Sequence, residues 1–351
     1  MKDNQNMLGK YDIEVYNNKV HYFLTVKRNI TILQGNSATG KTELIRLIQE
    51  HEANGVSSGI TLICGAKCTV LTAVDWELRL SFLKGHIIFI DETAGFLRSK
   101  RFAELVKGSD NYFVMVSRDD LSQLPYSVDE IYGLRNVSDT QKYKVYRRVY
   151  NETYNLYHLE LDPIIKPELV ITEDSNSGFE YFHALYLGNC VSAQGKSNVY
   201  DKIRMAQGKE VLAIVDGSAF GSEIGKVLRY LEASNIHCVL YAPESFEYLI
   251  LCAELFDVPK AVFQETYRFA DSVQFMSWEE FYTSYLTDIT RNSIYQYSKI
   301  KLADIYKTKG TIAKIASVIP EQIRPKEDSS QAEAKKTSPS AVPGEKGTEH
   351  V

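Results

Sequence analysis

GNSATGKT, Gly35 to Thr42, is the stretch on which the reading of this chain turns. Gly35, Gly40, Lys41 and Thr42 occupy every fixed position of G-x-x-x-x-G-K-[ST]. NITILQ (29–34) comes just before it and reads as a short buried strand. TELIRLIQEHEAN (42–54) follows, with Leu44, Ile45, Leu47 and Ile48 at helical spacing. A glycine-rich turn between a strand and a helix can wrap its N–H groups around phosphate oxygens. The helix N-terminus adds partial positive charge there. Gly35, Asn36, Ser37, Ala38, Thr39, Gly40, Lys41 and Thr42 are therefore the expected cradle. Lys41 is placed to reach the β- and γ-phosphates, and the Thr42 hydroxyl to ligate magnesium.

HIIFIDE (86–92) puts four apolar residues, Ile87 to Ile90, ahead of Asp91 and Glu92. Alone, such a run is a buried strand ending in two acids. About fifty residues beyond the cradle, the two segments together resemble the Walker A and Walker B motifs of the P-loop NTPase superfamily. That resemblance implies that Asp91 holds magnesium and that Glu92 acts as general base on the attacking water. The Asp-Glu ending is similar to the ATP-hydrolysing branches, and no N-K-x-D guanine signature is present, so ATP and Mg2+ are the expected ligands. NYFVMVS (111–117) reads as another strand, ending in Ser117-Arg118-Asp119. By the same resemblance, Ser117 would contact the γ-phosphate or its water, and Arg118 would serve as an arginine finger. No LSGGQ-like segment occurs, and 42–91 is too short to carry a coiled-coil insertion.

Strand and helix patterns alternate through both halves, which predicts an α/β protein with mostly parallel sheets. In the second half, LVITEDSNSGFEYFHAL, CVSAQGKSNVYDKI and VLAIVDGSAFGSEIGKVL come in the order and spacing of a Toprim domain, as in OLD-family ATPase-nucleases. The resemblance covers about 168–255. It implies that Glu173 ends the first strand and Asp216 the third, as magnesium ligands for phosphodiester chemistry. Ser218 stands where the family has a second aspartate, Asp174 replaces a glycine, and Ser177 sits where another acid is common. A two-metal centre is thus depleted, because hard cations need several oxygen ligands.

The expected organisation is a P-loop ATPase domain over 1–160, opening with a β-hairpin around Asn17-Asn18, and a Toprim-like, Rossmann-like α/β domain over 161–275. A helical segment over 276–324 and a disordered tail over 325–351 complete it. The tail has almost no large apolar residue to offset ordering entropy. With 351 residues, 44% hydrophobic and 24% charged, the chain has an ordinary globular composition. A net charge of -5 argues against a strongly basic polyanion binder. Five cysteines, mostly in apolar runs, read as reduced thiols. With no secretion signal or membrane-spanning run in the sequence, a cytoplasmic protein is expected. Cys64 and Cys68 form a C-x-x-x-C pair without the second pair a zinc site needs. KYKVYRRVY (142–150) interleaves basic and aromatic residues, which suits single-stranded nucleic acid. Its tyrosine spacing, continued by Tyr154 and Tyr157, equally fits one packed helix face. His158, His183 and His237 are isolated.

Two functions follow as expectations. One is an ATPase whose cycle controls a Toprim-like domain acting on nucleic acid in phage defence or a mobile element. The other is a nucleotide-dependent switch or scaffold whose second domain binds a partner without chemistry. Candidate partners beyond ATP are nucleic acid, a protein, or a second copy of the chain.

Overall fold

A computed structural model of the chain describes residues 6–36, 39–137, 148–159, 161 and 166–325. The hairpin is present as β1 (Tyr11–Tyr16) and β2 (Val20–Val26), antiparallel across the short Asn17 turn. NITILQ forms β3 (Ile30–Leu33), buried at every residue. The helix after the glycine loop is α1 (Lys41–Asn54), and Leu44, Ile45, Leu47 and Ile48 are its buried face, as their spacing requires. Then come β4 (Thr61–Ile63), β5 (Lys67–Val70), α2 (Trp76–Phe82), β6 (His86–Ile90), α3 (Lys100–Val106), β7 (Asn111–Val116), β8 (Ile131–Asn136) and β9 (Val149–Asn155).

These nine strands form one sheet in the order β4-β1-β2-β9-β8-β3-β7-β6-β5. The expected parallel sheet is corrected by this order: the sheet is mixed. The run β8-β3-β7-β6-β5 is parallel, while β1 pairs antiparallel with both β2 and β4, and β8 with β9. The hairpin's short turn allows nothing else, since parallel pairing needs a long crossover. The helical reading of the tyrosine-rich stretch is also corrected. Tyr150 and Tyr154 lie in β9 and Tyr157 lies beyond it, not on a helix face. Tyr143, Tyr146, Lys142, Lys144 and Arg147 lie outside the described residues, as does the tail from residue 326.

The edge strands β4 and β5 are consecutive in the chain, separated by residues 64–66 only. Nine flat strands would hold their edges about 38 Å apart. A three-residue link reaches at most about 14 Å. The sheet must therefore curl until its two edges meet at Cys64-Gly65-Ala66.

The second half follows its sequence pattern closely. It runs β10 (Leu169–Thr172), α4 (Ser177–Leu185), β11 (Cys190–Ser192), α5 (Lys196–Met205), β12 (Val211–Ile214), α6 (Gly221–Ala233), β13 (Cys238–Tyr241) and α7 (Phe246–Cys252). Its four strands are all parallel, in the order β11-β10-β12-β13. A short α8 (Ala261–Gln264) precedes α9 (Trp278–Ile289) and α10 (Lys309–Ala316). Ser277 caps α9 by accepting from the Glu280 N–H.

The core is layered. α1 covers one face of the large sheet, with Leu44 and Leu47 in one core with Leu33, Phe89 and Val114 and with Tyr22 of the hairpin. The opposite face, with Ile32, Ile88 and Phe113, shares a continuous core with Ile171, Ala213, Val199 and Ile224 of the second half. The far face of the second sheet packs Val170 and Leu212 against Phe281, Leu286, Tyr306 and Ile315 of the C-terminal helical segment. Each such fully buried side chain contributes roughly 1.5–3 kcal/mol. At the join, a Cβ on Gly221 would lie 2.4 Å from the Tyr126 ring, so only glycine lets α6 approach this closely.

One buried charge cluster crosses the join. Arg28 binds Glu244 through both terminal guanidinium nitrogens, at 2.5 and 2.9 Å, and its Nε faces fully buried Glu130 at 3.3 Å. The Trp278 ring lies 3.5 Å from the same guanidinium. Asn29 donates from Nδ2 to the carbonyls of Ser272 and Phe275. The residues just ahead of β3 are thus bound to both the second sheet and α9.

Candidate functional site

β3, β7 and β6 lie side by side and parallel, with β7 in the middle. Leu33 is level with Val116, and Ile90 with Met115. The carboxyl ends of all three strands therefore meet at one edge, where ligands gather in open α/β sheets. That edge carries the glycine loop after β3, Ser117-Arg118 after β7, and Asp91-Glu92 after β6.

Gly35 and Gly40 both take positive φ, 103° and 93°. Gly40 has a second reason to lack a side chain. Tyr22 donates its hydroxyl to the Gly40 carbonyl at 3.0 Å, and a Cβ there would lie 2.6 Å from that oxygen. Ser37 and Ala38 lie outside the described residues. Lys41 opens α1 and is buried. Its ammonium donates to the Gly35 carbonyl (3.1 Å), the Asn36 carbonyl (2.8 Å) and the Thr39 hydroxyl (2.8 Å). All three N–H groups are used, but every acceptor is neutral. Burial lowers the Lys41 pKa, Glu92 opposes that, and Arg118 adds to it. Thr42, one residue on, is exposed.

Asp91 uses one carboxylate oxygen locally, accepting from the Thr93 amide (3.0 Å) and hydroxyl (2.9 Å). Its other oxygen, Oδ2, is buried and has no hydrogen-bond partner. An unmatched buried acceptor costs about 1–3 kcal/mol unless a further group completes it. A hydrated magnesium ion is such a group, so the donor set here fits Mg2+. Glu92 pairs with Arg118 at 3.0 Å, bringing the candidate base and the candidate finger together. Ser117 is buried, and its hydroxyl is engaged in its own turn, donating to the Asp119 carbonyl at 2.7 Å and accepting from the Asp119 amide at 3.2 Å.

The second strand edge is built differently. Glu173 follows β10 and Asp216 follows β12, adjacent parallel strands with Thr172 level with Ile214. The Asp216 amide donates to Glu173 Oε2 at 3.1 Å. Asp174 turns back onto α4 and accepts from the Phe179 amide at 3.1 Å. Sequence reasoning missed two residues that line this pocket, Glu247 on α7 and Lys299, and the Glu279 of α9 that pairs with Lys299. Glu279 and Lys299 are brought in by the C-terminal segment and Glu247 by the helix after β13, and no spacing signal links them to Glu173. Lys299 pairs with Glu279, while Glu247 accepts from the Tyr297 hydroxyl at 2.7 Å. The cavity between Glu173, Asp174, Asp216, Glu247 and Lys299 is about 20 Å³, room for roughly one water.

Glu173, Asp174, Asp216 and Glu279 resist ionisation. Burial pushes Glu173 up to about 7, with Glu279 adding and the Asp216 amide opposing. Burial first, then Glu279 and Glu173, raise Asp216 well above the usual carboxylate range. Glu279 and Asp174 are raised by burial too. Burial also acts against the Lys299 charge, but Glu279, Glu247 and Asp216 outweigh it and its pKa rises. Ser218, at the missing aspartate, is buried with its hydroxyl unpartnered. Among the described residues, no three His, Cys, Asp or Glu side chains are grouped so as to hold a metal ion. A lysine supplies the pocket's cation, so this donor set does not fit magnesium.

No family model matches the chain, and no curated protein matches it. No helix among the described residues is long and apolar enough to cross a membrane.

Proposed function

We propose that this chain binds ATP with magnesium at the glycine loop, hydrolyses it, and passes the nucleotide state to its second half. The support is one juxtaposition: a buried ammonium held only by neutral acceptors, on the same strand edge as a carboxylate oxygen with no partner. Lys41 would exchange the loop carbonyls for phosphate oxygens, a stronger, charge-assisted set of bonds. The N–H groups of the loop and of the α1 N-terminus would orient the same phosphates. Asp91 Oδ2, with Thr42, would hold the magnesium. The magnesium held there would supply positive charge against the negative charge that develops on the phosphates. Glu92 would take the proton of the attacking water once freed from Arg118, and Arg118 would then be available for the transferring phosphoryl group. Arg28, joined to Glu244 and stacked on Trp278, is the route by which strain at β3 reaches the second half.

The second half is best read as the receiver of a switch, without phosphodiester chemistry of its own, because Lys299 is already paired with Glu279 and burial works against ionisation of Glu173 and Asp216. The nuclease reading retains one supporting observation, the convergence of Glu173, Asp174, Asp216 and Glu247 on one pocket. In that case the target is nucleic acid, as in phage defence or a mobile element.

Two measurements test this. Calorimetry with ATP and magnesium should show binding by the intact chain, and phosphate release should follow. Lys41→Ala should lower turnover at least about 100-fold. Chelating magnesium should do the same. An unchanged Lys41→Ala rate would end the nucleotide reading. Manganese- or magnesium-dependent cleavage of DNA that vanishes in Glu173→Ala and Asp216→Ala would instead establish the nuclease.

A further inference from the structure

We propose that Cys64 and Cys68 are a redox-responsive dithiol that reacts with a low-molecular-weight disulfide and closes to an internal disulfide, stapling the seam of the large sheet. The pair stands where the two sheet edges meet, Cys64 just past β4 and Cys68 within β5. Both thiols turn onto the backbone of the same residue, Ala66. The Ala66 amide donates to Cys64 Sγ at 3.4 Å, and the Cys68 thiol points to the Ala66 carbonyl at 3.9 Å. Both residues are partly exposed, and Gly65 between them is exposed, so a small disulfide can approach.

The two sulfurs have different parts. The neighbouring Cys68 thiol, with the amides of Ala66 and Gly65, lowers Cys64 to about 7 against burial. Burial holds Cys190 and Cys238 up at about 12, which leaves them poor nucleophiles. Cys64 thiolate attacks one sulfur of the disulfide RSSR, forming a mixed disulfide and releasing RS⁻. Cys68 then attacks Cys64 Sγ, releasing a second RS⁻, and its proton passes to solvent. Overall, two protein thiols and RSSR give one protein disulfide and two RSH; the protein is oxidised and RSSR reduced.

The staple acts on a loaded part of the fold. Glu52 of α1 accepts from the Thr69 hydroxyl (2.5 Å) and the Val70 amide (3.0 Å), tying α1 to β5 next to Cys68. Closing the seam therefore stiffens the mounting of the helix that begins at Lys41.

The test needs no nucleotide, so it stands or fails separately from the ATPase reading. The intact chain is incubated with glutathione disulfide, remaining thiols are alkylated, and the protein is weighed and digested. The expected product has lost the mass of two hydrogens and yields a linked Cys64–Cys68 peptide. Cys68→Ser should trap glutathione on Cys64, at least about tenfold faster than any adduct forms at Cys238. Cys64→Ser should take up little at position 68. A wild-type chain that gives no internal disulfide, or adducts spread evenly over the cysteines, would overturn the proposal.

Discussion

Two strand edges of this molecule each hold a lysine, and the two lysines are in opposite electrostatic situations. Lys41 sits among carbonyl and hydroxyl oxygens, with its nearest carboxylate, Glu92, paired to Arg118. Lys299 sits among Glu279, Glu247 and Asp216. Burial lowers the first pKa, whereas carboxylates raise the second. Both edges lie at the carboxyl ends of parallel strands, so position alone does not distinguish them. Pairing does. At the first edge, among the described residues, Lys41 and the Asp91 Oδ2 oxygen each lack an oppositely charged partner, whereas Lys299 is paired with Glu279. The edge proposed to take a ligand is the unpaired one.

The largest effect that tests this contrast is removal of the internal cation. Lys299→Met leaves Glu279, which is 14% exposed, without its partner. Breaking a fully buried pair costs about 3–5 kcal/mol; with Lys299 itself 41% exposed, we expect a loss of about 2 kcal/mol at neutral pH. Urea unfolding at pH 7 and pH 5 measures it. The loss should shrink at the lower pH, because Glu279, with its raised pKa, then takes up a proton. Equal stability of the two proteins at pH 7 would mean that Lys299 is not the pocket's counter-charge.

A smaller effect comes from the acids themselves. Glu173 has a folded-state pKa of about 7 against 4.5 for the free side chain. Between those values the folded chain binds more protons than the unfolded one, so stability falls as pH rises through that window. Asp216, Glu279, Asp174 and Lys196 face the same carboxyl, so the proton is shared and the contribution is about 1–2 kcal/mol. Glu173→Gln should flatten the slope between pH 4.5 and 7 and be more stable than wild type above it. A wild-type curve with no decline there would show that the Glu173 carboxylate is well solvated.

How far these edges are legible in sequence follows from how local their causes are. Gly35, Gly40 and Lys41 announce their loop because φ sign, helix start and side-chain reach are all set within eight residues. The run Ile87–Ile90 before Asp91 is legible for the same reason. The alternating pattern of the second half translates directly into four parallel strands. What escaped was non-local. Lys67–Val70 is a strand because β6 lies beside it, not because four residues with one lysine and one threonine favour it. The joining of the hairpin to the rest of the large sheet depends on β2 meeting β9, in parallel, across more than a hundred residues. Lys299 and Glu279 reach Asp216 only through the packing of the C-terminal segment, and Glu247 comes from α7 beyond β13. Their arrival turns a resemblance to a metal site into a pocket whose lysine is already paired.

The smallest expected effect concerns Ser117, where position and hydrogen bonding disagree. It ends β7, level with the glycine loop and Asp91, which is the place for a γ-phosphate contact. Yet its hydroxyl both donates to and accepts from Asp119, and the side chain is buried. A phosphate contact would require that turn to open, giving up two hydrogen bonds for one. Ser117→Ala leaves the ladder bond from the Ser117 amide to the Leu33 carbonyl in place. We therefore expect a stability loss of only about 1 kcal/mol by urea unfolding, with ATP turnover barely changed. A fall in turnover near that of Lys41→Ala, at wild-type stability, would mean the turn does open when nucleotide binds. The first edge would then be unpaired in hydrogen bonding as well as in charge, and its contrast with the Lys299 pocket would be sharper.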